Sequence, residues 1–184
     1  MNIFLVISTM TLNISIIAMD TPRKVYNDQK THVLKNLCND NDYDLEQVRQ
    51  LVIEGADPNV PVLGWYSLLS HVTHINREDL VHCFIQYGAD PCHENGRETA
   101  KPLELAVFGS NLSLTEVLLN RGANIHLICT NKYTILGNAI AWNCDYHMIL
   151  LLLSYNAPID IAKDLFVSEN IKKLLKEYEK QKLL

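Results

Sequence analysis

The chain has no CxxC pair, no G-x-S-x-G turn, no phosphate-cradling glycine loop and no H-E-x-x-H helix. The usual signatures of hydrolases, nucleotide enzymes and zinc peptidases are therefore missing. Its five cysteines (Cys38, Cys83, Cys92, Cys129, Cys144) are odd in number and unpaired in spacing. Free thiols in a reducing compartment are expected, rather than a disulfide framework. Seven histidines invite a search for a metal site. His71 and His74 could share a helix face, His82 adjoins Cys83, and Cys92 adjoins His93, but no further ligands stand at suitable spacing. No metal, cofactor or catalytic residue is expected, and no enzymatic activity. A nucleophilic pairing of Cys129 or Cys144 with a histidine has no motif behind it, and a lone thiol is ordinarily a packing residue. Positive charge is also short: the formal net charge is −5. Nucleic acid is not an expected partner, because no global positive field exists to neutralise phosphates. With only seven glycines and six prolines, and 48% hydrophobic residues, the chain is expected to fold.

Residues 1–19, MNIFLVISTMTLNISIIAM, carry no charge. Six polar residues interrupt them, no positive n-region precedes them, and the stretch Thr11–Ile16 alternates as a strand would. Three readings stand: a signal or membrane anchor, a non-essential extension, or a segment upstream of a start at Met10 or Met19. Membrane attachment is expected only if residues 1–19 act as an anchor. The sequons Asn13-Ile-Ser and Asn111-Leu-Ser would become glycosylation acceptors in a secretory lumen.

What the chain does have is a period. Gly55, Gly88, Gly122 and Asn156 lie 33, 34 and 34 residues apart, each but the last within a Gly-Ala-Asp/Asn word. Seven, four and three residues before each turn lie Val48, Leu51, Val52; Val81, Phe84, Ile85; Thr115, Leu118, Leu119; and Ile149, Leu152, Leu153. Those offsets stack side chains on one helical face, and only Thr115 among them is polar. Glycine ends each helix because the chain must turn left-handed, and asparagine is the next-best residue there. Asp44 with Gln47 and Ser113 with Glu116 have capping-box spacing, and Asn76 and Asp145 can cap the other two helices. A shorter helix precedes each of these, near 31–39, 67–74, 102–109 and 135–142. Helices this short are marginal alone and must be buried against neighbouring copies.

A period near 33, paired short helices and Gly-Ala-Asp after the second helix resemble the ankyrin repeat over roughly residues 30–161. GADPNVPVLGWYSLL, GADPCHENGRETAKPLELA and GANIHLICTNKYTILGNA carry the likeness. The Thr-Pro-Leu-His-x-Ala element that should open each first helix is poorly kept. Pro102-Leu103…Ala106 retains the Pro, and His71 stands where Ala is expected after Leu68. The resemblance implies an all-α ankyrin-repeat solenoid of about four helix-turn-helix units (30–61, 62–94, 95–128, 129–161) with short finger loops. Residues 1–29 are an N-terminal extension. Residues 162–184 are a capping segment, in which Ile171, Leu174, Leu175 and Tyr178 form one apolar face after Ser168.

Such a stack implies a binding module for a protein partner, acting through its finger loops and concave face. Loop residues not required for folding are the candidate contacts: Trp65, Tyr66, His93, Glu94, Arg97, Lys132 and Tyr133, with Trp142 at a helix end. Aromatic residues and arginine are the usual interface anchors. Two of these also have structural readings, Trp65 packing between fingers and Tyr66 taking the place of a Thr. The drifted motif and the Asn/Lys/Ile-rich texture resemble ankyrin proteins of poxviruses and intracellular bacteria. That likeness implies a monomer in the host cytoplasm that engages host factors. An F-box-like domain of the kind that often closes poxvirus members is not expected within residues 162–184.

Overall fold

A computed structural model describes residues 27–39, 43–62, 66–92, 100–129, 131–159 and 168–182. Nine helices stand among the described residues: α1 (Asp28–Asn39), α2 (Leu45–Ile53), α3 (Leu68–His74), α4 (Glu78–Gln86), α5 (Pro102–Phe108), α6 (Leu112–Asn120), α7 (Ile135–Ala141), α8 (Tyr146–Ser154) and α9 (Glu169–Lys182). The strands β1 (Pro61–Val62) and β2 (Tyr66–Ser67) form a small antiparallel hairpin, in which Pro61 faces Ser67 and Val62 faces Tyr66. A single bridge between Ile128 and Thr134 makes the equivalent pairing two units later. The architecture is an all-α stack in which, among the described residues, the extended pairs are confined to the fingers.

The chain forms two rows of helices. The first helices α3, α5 and α7 pack side by side, and the second helices α2, α4, α6 and α8 form the other row. Helices of seven and nine residues can stand here because each buries one face against its partner and its neighbours. Of the twelve stripe positions on the second helices, all are buried but Leu51, which is half-buried. Thr115, the polar member, is fully buried because its hydroxyl donates to the Asn111 carbonyl at 2.7 Å. Ala106 and Ala139 are buried at equivalent places in α5 and α7, where a small side chain lets neighbouring helices approach.

Both helices of a unit end the same way. Gly55, Gly88, Gly122 and Asn156 have φ of 99°, 91°, 86° and 61°. In each case the following alanine donates five residues back, as Ala89 N–H does to the Phe84 carbonyl at 2.8 Å and Ala123 N–H to Leu118 at 3.0 Å. Those bonds satisfy carbonyls that a helix end would otherwise leave without partners. The alanines at 56, 89, 123 and 157 are themselves buried, which accounts for the second letter of the word. The third letter works as an Asx turn: Asp57, Asp90 and Asn124 accept through Oδ1 from the N–H two residues on, at 2.9, 2.8 and 3.0 Å.

The first helices end on Asn76, Ser110 and Asn143, with φ of 59°, 51° and 55°. This corrects the expectation that Asn76 is an N-cap. Asn76 closes α3, and Arg77 precedes α4 with no side-chain cap bond. The Ser113–Glu116 capping box is also replaced. Asn111 caps α6, accepting from Leu114 N–H at 2.9 Å, and Ser113 lies inside the first turn. At α2, Asp44 is the cap, but its carboxylate accepts from Glu46 N–H at 2.9 Å, so the box with Gln47 does not form. Asp145 caps α8 as expected, accepting from Met148 N–H at 2.9 Å.

The register of α3 is a further correction. Ser67 caps it, accepting from Ser70 N–H at 3.1 Å, as Thr134 caps α7 by accepting from Gly137 N–H at 3.0 Å. Counting from those caps, Leu69 matches Leu103 and Leu136, and Val72 matches Ala106 and Ala139. Thus Val72, not His71, takes the small-residue position, and Tyr66 matches Tyr133 rather than a structural Thr.

Hydrogen bonds also cross between units. Asn111 Nδ2 donates to Asn76 Oδ1 and to Glu78 Oε1, both at 2.7 Å. Asp90 N–H donates to Asn59 Oδ1 at 2.8 Å and Tyr155 OH to Asn120 Oδ1 at 2.5 Å, while within the first unit Asp57 N–H donates to Thr31 Oγ1 at 2.9 Å. Helix α9 closes the far end, with Leu175 buried and Tyr178 OH donating to the Leu153 carbonyl at 2.8 Å. At the near end, α1 has twelve residues, and Lys30 pairs with Glu54 at 2.6 Å beside the first turn.

Candidate partner-binding face

A first helix buries the positions that meet its second helix and its neighbours, and leaves the rest to solvent. Seven residues after the cap stand His74, Phe108 and Ala141; eight after stand Ile75, Gly109 and Trp142. Phe108 is 57% exposed and Ile75 39% exposed, and Trp142 is half-buried. Phe108 and Trp142 meet edge to face, with ring centroids 5.2 Å apart at 85°, across neighbouring units. One unit earlier, Tyr66 stacks on His74 at 5.9 Å and 23°. Aromatic pairs of this kind present large, stiff apolar area at low entropic cost.

The sequence-derived candidates divide accordingly. Tyr66 lies in β2, half-buried, with its ring over α3. Lys132 is exposed at the tip of the last described finger with φ of 68°, and its N–H donates to the Cys129 carbonyl at 2.8 Å. Tyr133 is half-buried beside it, its carbonyl accepting from Cys129 N–H at 2.8 Å. Trp142 sits at the C-cap of α7. Trp65, His93, Glu94 and Arg97 lie outside the described residues. Sequence reading missed Phe108, His74 and Ile75, because it searched the loops. The signal was available: in Leu103, Ala106, Val107 and Phe108, only the phenylalanine falls off the apolar stripe.

Charge is divided between the two rows. Asp44, Glu46, Glu54, Glu78, Asp79, Glu116 and Asp145 lie on or cap the second helices, mostly exposed. Arg49 pairs with Glu46 at 2.9 Å, and Arg77 lies 3.9 Å from Asp79 with its guanidinium 4.2 Å from the Tyr43 ring. Glu104 is the single carboxylate in α3, α5 and α7, and it is 8% exposed. Burial pushes its pKa up, with hydrogen bonds to Cys129 and the Lys101 backbone acting the other way. Burial and the adjacent His74 together hold the His71 imidazole below its ordinary value.

All five cysteines are free thiols. Burial raises Cys38 to about 12, with a smaller contribution from Cys83. Burial and the Glu104 carboxylate raise Cys129 to about 12, and burial also pushes up Cys83 and Cys144. The thiolate is the nucleophile and the metal ligand, so these four groups are kept in their unreactive form. Cys144 instead links two units, its Sγ 3.4 Å from the Val107 carbonyl and 3.7 Å from Ser110 Oγ. Among the described residues no three or more His, Cys, Asp or Glu side chains gather as metal ligands would. No helix among them is long and apolar enough to cross a membrane.

No family model matches the chain. A fowlpox virus protein described as an ankyrin repeat protein is 28% identical over 115 residues, which cover 62% of this chain and 26% of that protein. This chain thus spans about a quarter of the length of the relative it matches. The period of 33 and 34 residues, the paired helices closed by left-handed turns, and this likeness together support a relationship of the chain to ankyrin-repeat proteins.

Proposed function

We propose that the chain is a non-enzymatic protein-binding module that occupies a partner's surface with its first-helix face and fingers. The observation that carries this reading is the exposed Phe108–Trp142 pair, flanked one unit away by the Tyr66–His74 stack. Phe108 is 57% exposed and Ile75 39% exposed on this row, and contiguous exposed apolar surface of this kind marks an interaction site. Central aromatic residues are where interfaces concentrate their binding energy. Lys132, Tyr133 and Tyr66 extend the face onto the fingers; Trp65, His93, Glu94 and Arg97 are proposed contacts on the sequence argument alone. The likeness to a fowlpox virus protein supports a host protein as the partner, engaged by a monomer in the host cytoplasm.

The test is affinity capture with the full chain and with the Phe108→Ser variant, read by mass spectrometry. A set of proteins held by the parent and lost by the variant, with the melting point unchanged, is the expected result. Retention of every partner by Phe108→Ser and by Trp142→Ala would reject this face as the binding surface.

A further inference from the structure

Resting on that reading of the face, we infer that its partner segment is acidic, with an aromatic or leucine anchor seated at the Phe108–Trp142 pair. The inference comes from the distribution of charge. The chain carries a net charge of −5, yet the carboxylates of its described helical units lie almost entirely on the second-helix row. Across α3, α5 and α7 the one carboxylate, Glu104, is buried, whereas His74 stacks on Tyr66 and Lys132 is exposed on the finger that leads into α7. Two further acids lie where the described fingers begin. Asp57 and Asp90 each turn a carboxylate oxygen onto their own backbone, at 2.9 and 2.8 Å.

A basic partner would be drawn to the second-helix row, where Asp44, Glu46, Glu78, Asp79 and Glu116 project. An acidic partner is repelled there and meets no exposed carboxylate on α3, α5 or α7. Electrostatic complementarity of this sort sets orientation and suppresses the wrong partner more than it adds raw affinity. The aromatic pair then supplies the desolvated anchor, and the exposed Lys132 on the finger leading into α7 favours acids in what flanks the anchor.

A random peptide library displayed on phage and selected against the immobilised full chain provides the test. Enriched sequences are expected to combine one aromatic residue or leucine with two or more Asp or Glu. Synthetic versions should bind at least about tenfold more weakly to Phe108→Ser. They should also weaken between about 50 and about 500 mM salt, over which the screening length falls from beyond 10 Å to a few ångströms. Lys132→Glu should weaken them further and should favour versions with Lys in place of the acids. Because Trp142 is half-buried, Phe108→Ser is the primary variant, and its melting point is recorded alongside. Selected peptides that need Phe108 but are neutral or basic, or bind equally at both salt concentrations, would overturn the charge inference and leave the face intact. Peptides indifferent to both Phe108 and Trp142, or no enrichment at all, would overturn both.

Discussion

Replacing Gly122 isolates the backbone argument on which the fold rests. Its φ is 86°, and a Cβ built there meets nothing within 4 Å, so a substituted side chain has room. The penalty is therefore conformational. Holding an ordinary L-residue in the left-handed region costs about 1–2 kcal/mol, more for a β-branched one and less for asparagine. The chain itself supplies the asparagine case, since Asn156 closes α8 at 61°. For a domain of this size, 1 kcal/mol shifts the melting point by about 2–4 °C. Gly122→Ala should therefore melt about 2–8 °C below the parent, with Gly122→Asn between them and Gly122→Val lowest. Gly88, at 91° and equally open, should repeat the order. Urea titration followed by circular dichroism measures the same differences as free energies. An alanine or valine variant indistinguishable from the parent would mean that these positions do not reverse the chain as described.

Three further substitutions probe other links. Asn111→Ala removes the cap on Leu114 N–H and both ties to the preceding unit, and should cost about 1–2 kcal/mol by urea titration; no change would make those bonds incidental. His71 is held below the 6.5 of a free imidazole by burial and by His74. The folded chain thus binds fewer protons there than the unfolded one, so its contribution is present above pH 6.5 and is lost as the pH falls through the lowered value. The stability difference between the parent and His71→Gln should vary in that window. Glu104 contributes a slope of opposite sign to both proteins and cancels, so a flat difference would refute the assignment. Gly137→Ala places a methyl 3.3 Å from Tyr133 Cβ and Thr134 Oγ1. It should displace the finger and speed exchange of the Cys129 amide, which is bonded to the Tyr133 carbonyl; unaltered exchange would show that the finger does not depend on that glycine.

The second helices were legible in the sequence because two independent constraints coincide there. A left-handed stop permits little besides Gly or Asn, and the stripe behind it must be apolar. The first helices were harder to read. Ser67-Leu68-Leu69 offers two leucines for one position, so the pattern alone cannot choose the register, and the hydroxyl of Ser67 on Ser70 N–H decides it. Asn76 suits both an N-cap and a left-handed stop, and Ser110 is an unusual residue for the latter, so the inner turns were hidden. The face was read only in part for a related reason. Tyr66, Tyr133 and Trp142 border loops, where a search for contacts begins, whereas His74 and Phe108 come to the surface only once the cap positions fix which side of each helix is solvated.

Amide hydrogen exchange of the full chain, free and bound to a captured partner protein, tests the central claim most directly. Protection is expected along residues 66–75, 100–109 and 128–142, with the second helices unchanged. Protection confined to α2, α4, α6 and α8 would contradict the account.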